Sequence, residues 1–152
     1  MNRTEYEHRL RQLAVREGMT FATLIGLDEG DRTVLRATIL ARFDPGAVYS
    51  EGEVNERLKV WLTSVGSMID TDHVNLRRLL VDTQILTRRS DCTEYRVHPA
   101  AAAALPAEFA AIDAAAIVAG ARNDTEARRS VRKAAWLKQP GGAGGPSTAN
   151  AA

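Results

Sequence analysis

Apolar and polar residues alternate at the start of the chain in the pattern of an amphipathic helix. Apolar side chains recur at helical spacing from Tyr6 to Ala14. Thr4 and Glu7 have the spacing of a capping box, and Gly18 offers a stop. The pattern therefore predicts a first helix with one apolar face.

The next apolar stretches lead into a second long helix. Residues 19–27 fit a short helix or an extended connector, and their pattern does not choose between the two. Residues 31–43 carry two apolar stripes, so the predicted helix there could be covered on two sides. The sequence Asp-Pro-Gly at 44–46 would end it, and residues 47–49 could pair as a short strand.

Two capped helices are predicted after this strand. Ser50 and Glu53 form a capping box, and the helix that follows has an apolar face from Val54 to Val65. The loop 64–71 is longer than the 3–4-residue turn of the tightest helix-turn-helix proteins. Asp70 or Thr71 would cap the second helix.

This second helix, about 72–83, is expected to be amphipathic with a partly basic outer side. At about 100° per residue the inward cluster is Leu76, Leu79, Leu80 and Thr83. The outward strip is Val74, Arg77, Arg78 and Val81, flanked by Asn75 and Asp82. Residues 85–89 and 93–97 then read as two short strands around 90–92, with Pro99 ending the second.

The predicted elements follow the order found in a winged helix-turn-helix: a helix, a short strand, two capped helices and a basic hairpin. In that fold the second capped helix enters a nucleic-acid groove and the hairpin grips the backbone. The predicted fold class is therefore mainly α with a small β-hairpin, a winged helix-turn-helix-like core with helical N- and C-terminal extensions.

Alanine-rich and basic segments follow the hairpin. A helix lined by Phe109 and Ile117 is expected to break at Gly120 or Asn123, and a second to start at Asp124 or Thr125. From Pro140 the glycine-rich run has no large apolar side chain and predicts a disordered tail. We divide the chain into a helical extension (1–30), the winged-helix-like domain (31–98), C-terminal helices (99–139) and the tail (140–152).

Charge narrows the choice of partners. The 20 basic and 19 acidic residues leave a net charge of +1, so attraction to phosphate must come from a local patch. The strongest patch is 122–138, with six basic residues and two acidic ones, a balance of 6 − 2 = +4. One cysteine, Cys92, rules out an intramolecular disulfide and suits a reducing cytoplasm. No signal peptide or membrane span is recognisable, so a cytoplasmic protein without a membrane partner is expected.

Enzymatic chemistry has little support in the sequence. The three histidines are scattered, and the sequence contains no His-Glu-x-x-His, phosphate-binding glycine loop or Gly-x-Ser-x-Gly motif. Acidic residues at the start of the second capped helix are explained by capping and by the helix dipole. We expect no catalytic activity, no cofactor, no metal and no small-molecule ligand.

Three blocks of the sequence resemble an uncharacterised bacterial domain family. They are Phe43 with Tyr49-Ser50 and Glu53-Val54-Asn55, then Asp72-His73-Val74-Asn75-Leu76-Arg77-Arg78 with Leu80-Val81-Asp82, then Leu86 with Arg88 and Tyr95. Members of that family stand alone or are joined to arsenic-repressor-type helix-turn-helix regulators, and the resemblance implies a winged-helix-like domain in a transcriptional regulator. The family pattern often has an acidic residue where this chain has Leu79 and a glycine where it has Gln84. The first departure removes a partner for the arginines, and the second weakens the signal for the turn into the hairpin.

The candidate nucleic-acid contacts lie in three segments. On the second capped helix they are Asn75, Arg77 and Arg78; on the hairpin, Arg88, Arg89 and Arg96; and on the C-terminal helix, Arg129, Arg132 and Lys133. Arginine pairs with guanine edges and phosphate, and asparagine pairs with adenine. Arg77 and Arg78 could instead be held by Asp72, Asp82, Glu53 or Glu56 in ion pairs, and Val74 and Val81 could be covered by a terminal helix.

The predicted function is DNA binding in bacterial transcription control, through the helix 72–83 and the hairpin 85–97. The alternatives are RNA binding or a protein-interaction and dimerisation module without DNA contact. The apolar faces of the first helix and of 109–117 exceed the need of one small winged core, so a homodimer is expected.

Overall fold

Helices dominate the computed structural model, which describes residues 1–139. In chain order the elements are α1 (Arg3–Ala14), α2 (Phe21–Ile25), α3 (Glu29–Leu40), α4 (Glu51–Thr63), α5 (His73–Asp82), β1 (Leu86–Arg88), β2 (Tyr95–Val97), α6 (Pro99–Ala103), a 3-10 helix (Ala107–Ala111) and α7 (Ala114–Lys138). The predicted class, mainly α with a small hairpin, is confirmed. The predicted tail from Pro140 lies outside the described residues.

The first helix begins two residues earlier than the predicted cap would place it. The side chain of Asn2 accepts a hydrogen bond from the backbone N–H of Glu5 at 2.9 Å, so Asn2 is the N-cap. The predicted capping box of Thr4 and Glu7 is wrong, because the carboxylate of Glu7 pairs with Arg3 at 2.8 Å instead. The helix ends before Gly18, which lies in the loop beyond at φ +61°.

The ambiguous stretch 19–27 contains both an extended residue and a helix. Met19 forms a parallel bridge with Ile69, and Thr20 then caps α2 by accepting a bond from the N–H of Thr23 at 3.2 Å. One extended residue and one helical turn share the stretch, which explains why its apolar pattern is mixed.

The long helix α3 is buried on two sides, as predicted. Its buried residues are Val34, Leu35, Ala37, Thr38, Ile39 and Leu40. It starts two residues earlier than the pattern suggested, because Asp28 accepts a bond from the N–H of Asp31 at 2.8 Å. That bond and the neighbouring Arg9 lower the pKa of Asp28. Arg9 lies 3.0 Å from both Asp28 and Asp31, which ties α1 to α3.

Both terminal extensions take part in the core. The helix α1 packs against α3 and α7, and the rings of Tyr6 and Phe109 lie 4.5 Å apart. Burial raises the pKa of Tyr6 to about 12. Val118 of α7 belongs to the same buried cluster as Leu58 of α4. The apolar faces that suggested a dimer are thus covered within one chain.

The middle of the chain follows the order expected for a winged helix-turn-helix. After α3, Tyr49 forms an antiparallel bridge with Tyr95, so the predicted strand 47–49 reduces to one residue. The capping box of Ser50 and Glu53 at the start of α4 is confirmed. The hairpin then pairs Leu86 with Val97, Thr87 with Arg96 and Arg88 with Tyr95.

The turn between α4 and α5 is fixed by Trp61. Its indole N–H donates to the hydroxyl of Thr38 at 3.0 Å, and Thr38 donates to the carbonyl of Leu35 at 2.7 Å. This buried chain satisfies polar atoms that would otherwise cost stability. A Cβ at Gly66 would lie 2.2 Å from the Trp61 ring, so only glycine fits where the turn crosses the indole.

The C-terminal helices differ from the prediction. Pro99 begins α6 instead of only ending a strand, and the Nδ1 of His98 caps it by accepting from the N–H of Ala100 at 3.1 Å. Gly120 and Asn123 do not break α7, which runs unbroken from Ala114 to Lys138. A single internal glycine costs only about 1 kcal/mol, which 25 helical residues tolerate.

Candidate nucleic-acid interface

The helix α5 has defined caps at both ends. Asp72, not Asp70 or Thr71, is its N-cap and accepts from the N–H of Asn75 at 2.7 Å. At the other end the N–H of Ile85 donates to the carbonyl of Leu80 at 2.8 Å. The N–H of Gln84 donates to the carbonyl of Val81 at 3.1 Å. These two bonds form a Schellman motif. They set the direction in which the chain leaves α5 for the hairpin.

The inner side of α5 faces the core and its outer side is exposed. Leu76 and Leu80 are buried, whereas Asn75, Arg78 and Asp82 are exposed. The exposed strip on the outer side of α5 is therefore narrower than the predicted one. Three members of the predicted strip, Val74, Arg77 and Val81, are half-buried, because the side of α5 on which they lie turns toward α4.

Arg77 is held by α4. Its guanidinium lies 2.8 Å from the carboxylate of Glu51 and donates a hydrogen bond to the side chain of Asn55. The side chain is only 13 % exposed. An ion pair does hold one of the two arginines, but the partner is Glu51 and not one of the four acidic residues expected. Arg77 therefore fixes α5 on α4, and its donors are committed within the chain.

Arg78 is the neighbour that points away. It is exposed and has no ion pair or hydrogen bond within residues 1–139. Asn75 lies one turn before it on the same face, and its side-chain amide is also without a partner in the described part of the chain. Neither terminal helix covers these two side chains. The outer face of α5 therefore offers one guanidinium and one amide to a partner.

The hairpin arginines lie in different settings. Arg96 is exposed and shares a hairpin face with Thr87, whereas Arg88 pairs with Tyr95 on the opposite face and is exposed near the tip. Arg89 lies 3.5 Å from both Asp91 and Glu94. Its charge is thus partly balanced in the tip, while Arg88 has no ion pair among the described residues.

The tip of the hairpin is organised by Asp91. Its carboxylate accepts bonds from the hydroxyl of Thr93 at 2.6 Å and from the N–H of Thr93 at 3.0 Å. These bonds lower the pKa of Asp91. Cys92 is exposed beside it with φ +62°, the left-handed region that a tight loop requires. The tip is a turn built around one aspartate.

The basic patch on α7 is largely free of ion pairs. From Glu126 to Gln139 every residue is exposed. Arg129 lies 3.1 Å from Glu17, whereas Arg132 and Lys133 have no ion pair in the described part of the chain. Spacing of three and four residues places Arg129, Arg132, Lys133 and Trp136 on one helix face.

Acidic side chains limit how far a phosphate surface could extend. Glu53 and Glu56 are exposed on α4, the helix beside α5. They would repel a phosphate backbone that ran along α4. The basic side chains of α5 and the hairpin therefore favour a phosphate backbone more than the start of α4 does.

Three interactions around Arg57 and Tyr49 were not foreseen from the sequence. Arg57 lies with its guanidinium carbon 4.7 Å from the centre of the Tyr49 ring and donates to the carbonyl of Arg42 at 2.7 Å. The hydroxyl of Tyr49 accepts from the N–H of Asp44 at 2.6 Å. The paired residues are five to fifteen positions apart and do not share one helix, so helical spacing does not predict these contacts.

Among residues 1–139 no group of three or more histidine, cysteine, aspartate or glutamate side chains could hold a metal ion. No helix in that range combines the length and the apolar character needed to cross a membrane.

Residues 27–97 match the model of a family described as "Uncharacterized protein conserved in bacteria (DUF2087)". The match covers α3, α4, α5 and the hairpin, which is the part of the chain that resembled a bacterial domain family on its motifs. No curated protein and no solved structure matches the chain.

Proposed function

We propose that this protein binds DNA through α5 and the β1–β2 hairpin and acts in bacterial transcription control. The observation that carries the proposal is the exposed guanidinium of Arg78 on the outer face of α5, which has no partner among residues 1–139. In a winged helix-turn-helix this is the helix that enters the major groove. Arginine there can bond both acceptors of a guanine edge.

The surroundings of Arg78 support the same interface. Asn75 lies on the same face and could bond an adenine edge. Arg88 and Arg96 on the hairpin would contact phosphates beside the groove. Arg77 has a different role, because its bonds to α4 hold α5 at a fixed angle. It is a positioning residue in this proposal and makes no contact with DNA.

The first experiment finds the target. Full-length protein is used to select binding sequences from random duplex DNA, and affinity for the selected site and for random DNA is measured by fluorescence anisotropy over a range of salt. We expect a shared motif and a loss of several decades in affinity between low and high salt, as phosphate contacts require. Equal affinity for all sequences at every salt concentration would rule out groove recognition.

Variants then separate base reading from phosphate contact. Arg78→Ala should weaken binding to the selected site by about 1–3 kcal/mol and leave random DNA nearly unchanged, because a base contact is lost. Arg132→Ala should weaken both alike and reduce the salt slope by about one. If Arg78→Ala left both affinities intact, α5 would not be the recognition helix.

Arg77→Ala serves as the matched comparison for Arg78→Ala. It removes two contacts of a side chain that is 13 % exposed, so it should lower the free energy of unfolding by about 1–2 kcal/mol. Arg78→Ala should change that free energy by less than about 0.5 kcal/mol. Urea denaturation of the two variants thus tells a folding defect from a binding defect.

A second candidate function is a protein-interaction module. It is favoured by large apolar side chains near the end of α7, where Val131, Trp136 and Leu137 are 69 %, 53 % and 48 % exposed. At about 100° per residue these side chains point to different sides of α7, so an interface that used all of them would surround the end of the helix. Selection that returns no DNA motif, together with a stable self-association, would support this candidate over DNA binding.

A further inference from the structure

An apolar groove lies between α5 and the helices α2 and α3. It encloses about 460 Å³ between α2, α3 and α5. Its walls include Leu24, Leu35, Ile39, Leu76 and Leu79, and the indole of Trp61 lies at its base. This volume is within the range of small-molecule sites in proteins, about 300–1,000 Å³.

Arg36, whose side chain is 27 % exposed, lines the groove and carries one polar atom that lacks a partner among the described residues. The Nε of Arg36 is buried and has no hydrogen-bond acceptor in the described part of the chain. A buried donor of this kind is rare in folded proteins and calls for an acceptor. The acceptor expected for a guanidinium is a carboxylate, which it binds with two parallel bonds.

The nearest carboxylate in the protein is already engaged. Glu29 lies 2.9 Å from Arg32, which lowers its pKa, but it lies 4.0 Å from Arg36. The two arginines and one glutamate that line the groove sum to 2 − 1 = +1. The lining side chains therefore carry one positive charge that no lining carboxylate balances, next to apolar walls.

We propose that this groove binds a small amphipathic monocarboxylic acid, with its carboxylate on Arg36 and its apolar part against Leu35, Ile39 and Leu79. No motif in the sequence predicts this site, and from the sequence we expected no small-molecule ligand. The proposal stands apart from DNA binding, because it depends only on the groove and on Arg36.

Decanoate tests the proposal directly. Binding to the full-length protein is followed by titration calorimetry and by tryptophan fluorescence, below the concentration at which decanoate forms micelles. The Trp136→Phe variant leaves Trp61, which lines the groove, as the single tryptophan, and excitation at 295 nm avoids the tyrosines. We expect saturable one-to-one binding with a change in Trp61 emission, and affinity for decanol lower by about tenfold or more, because an alcohol lacks the charge that Arg36 requires.

Variants locate the two halves of the site. Arg36→Met keeps the apolar stem and should weaken decanoate by about tenfold or more while leaving decanol unchanged. The fold should tolerate it, because the Nε of Arg36 has no partner among residues 1–139 and the variant loses only a 4.0 Å ion pair with the exposed Glu29. Leu79→Gln should weaken both ligands, and Arg128→Met on the distant α7 should weaken neither.

Three results would overturn the proposal. The first is no saturable binding of decanoate, and the second is equal affinity for decanoate and decanol. The third is a dimer, detected by light scattering, that Leu79→Gln dissociates while decanoate does not bind. In that last case a second copy of the chain covers the groove.

Discussion

At the scale of single residues, Gln84 occupies a backbone position that usually belongs to glycine. It follows the C-cap of α5 with φ +59°, inside the Schellman motif that leads to the hairpin. Non-glycine residues in the left-handed region carry a steric cost of about 1–2 kcal/mol. The strain is tolerated because Leu80 and Ile85, which flank the motif, are both buried.

Gln84→Gly is therefore expected to stabilise the protein. Removing the steric cost outweighs the extra flexibility of glycine in the unfolded chain, so the free energy of unfolding should rise by about 0.5–1 kcal/mol. Urea denaturation measures the change, with Gln139→Gly at an exposed position with φ −77° as a control that should bring no gain. A loss of stability in Gln84→Gly would show that this residue does not adopt the left-handed conformation.

Adjacent residues can also have opposite roles, as Arg77 and Arg78 do. They differ by about 100° around α5, and this rotation places the first against α4 and the second in solvent. The sequence shows two arginines in a row. Only the position of Glu51 and Asn55 on the neighbouring helix decides which of them is engaged.

At the scale of elements, similar cap patterns at the starts of α1 and α4 have different outcomes. Ser50 and Glu53 make both bonds of a capping box, whereas Thr4 lies inside α1 and makes no capping bond. The difference arises because Asn2, two residues earlier, already caps α1. A pattern of residue types identifies a possible cap, and competition among neighbouring caps decides the start of the helix.

The two caps should respond differently to alanine. Ser50→Ala is expected to lower the free energy of unfolding by about 1 kcal/mol, because the N–H of Glu53 loses its acceptor. Thr4→Ala should change it by less than about 0.5 kcal/mol. Thermal or urea unfolding of the two variants provides the comparison, and a larger loss in Thr4→Ala would mean that the start of α1 is misplaced.

At the scale of the whole molecule, one core joins elements from both ends of the chain. The helices α1 and α7 pack on each other, and their buried residues belong to the same cluster as those of α4 and α5. The reason first given for a dimer therefore no longer holds. A different surface, the exposed end of α7 around Val131, now supports the proposal of a homodimer.

Val131→Glu tests this dimer. Val131 is 69 % exposed, and its spacing places it between Ala127 and Ala134 on one helix face. A charge there should dissociate a dimer that uses this face and leave the melting temperature of the monomer nearly unchanged, because no core contact is lost. Light scattering gives the mass, and Val60→Glu, at a valine on α4 that is 52 % exposed, is the matched control. A wild-type protein that is monomeric at high micromolar concentration would remove the dimer proposal.

The sequence by itself determined the fold class and most of the elements. Helical spacing of apolar residues and the caps of α4 located the helices in the middle of the chain, because these signals depend on residues three or four positions apart. The same spacing identified Arg78 and Asn75 as outward residues of α5. Sequence patterns did not predict α7 correctly. Gly120 and Asn123 were expected to break the helix, but both lie inside one continuous helix.

Only the tertiary structure decided which polar residues are engaged and which are available. Arg77 bonds to Asn55 of α4, and the indole of Trp61 bonds to Thr38 of α3. The Nε of Arg36 is buried and has no partner among the described residues. Each of these outcomes depends on which side chains another element brings close. Such contacts depend on the angle and distance at which helices pack, and spacing along one helix does not contain that information. The groove between α5 and the helices α2 and α3 has the same origin, since its walls come from helices that are separate in the sequence.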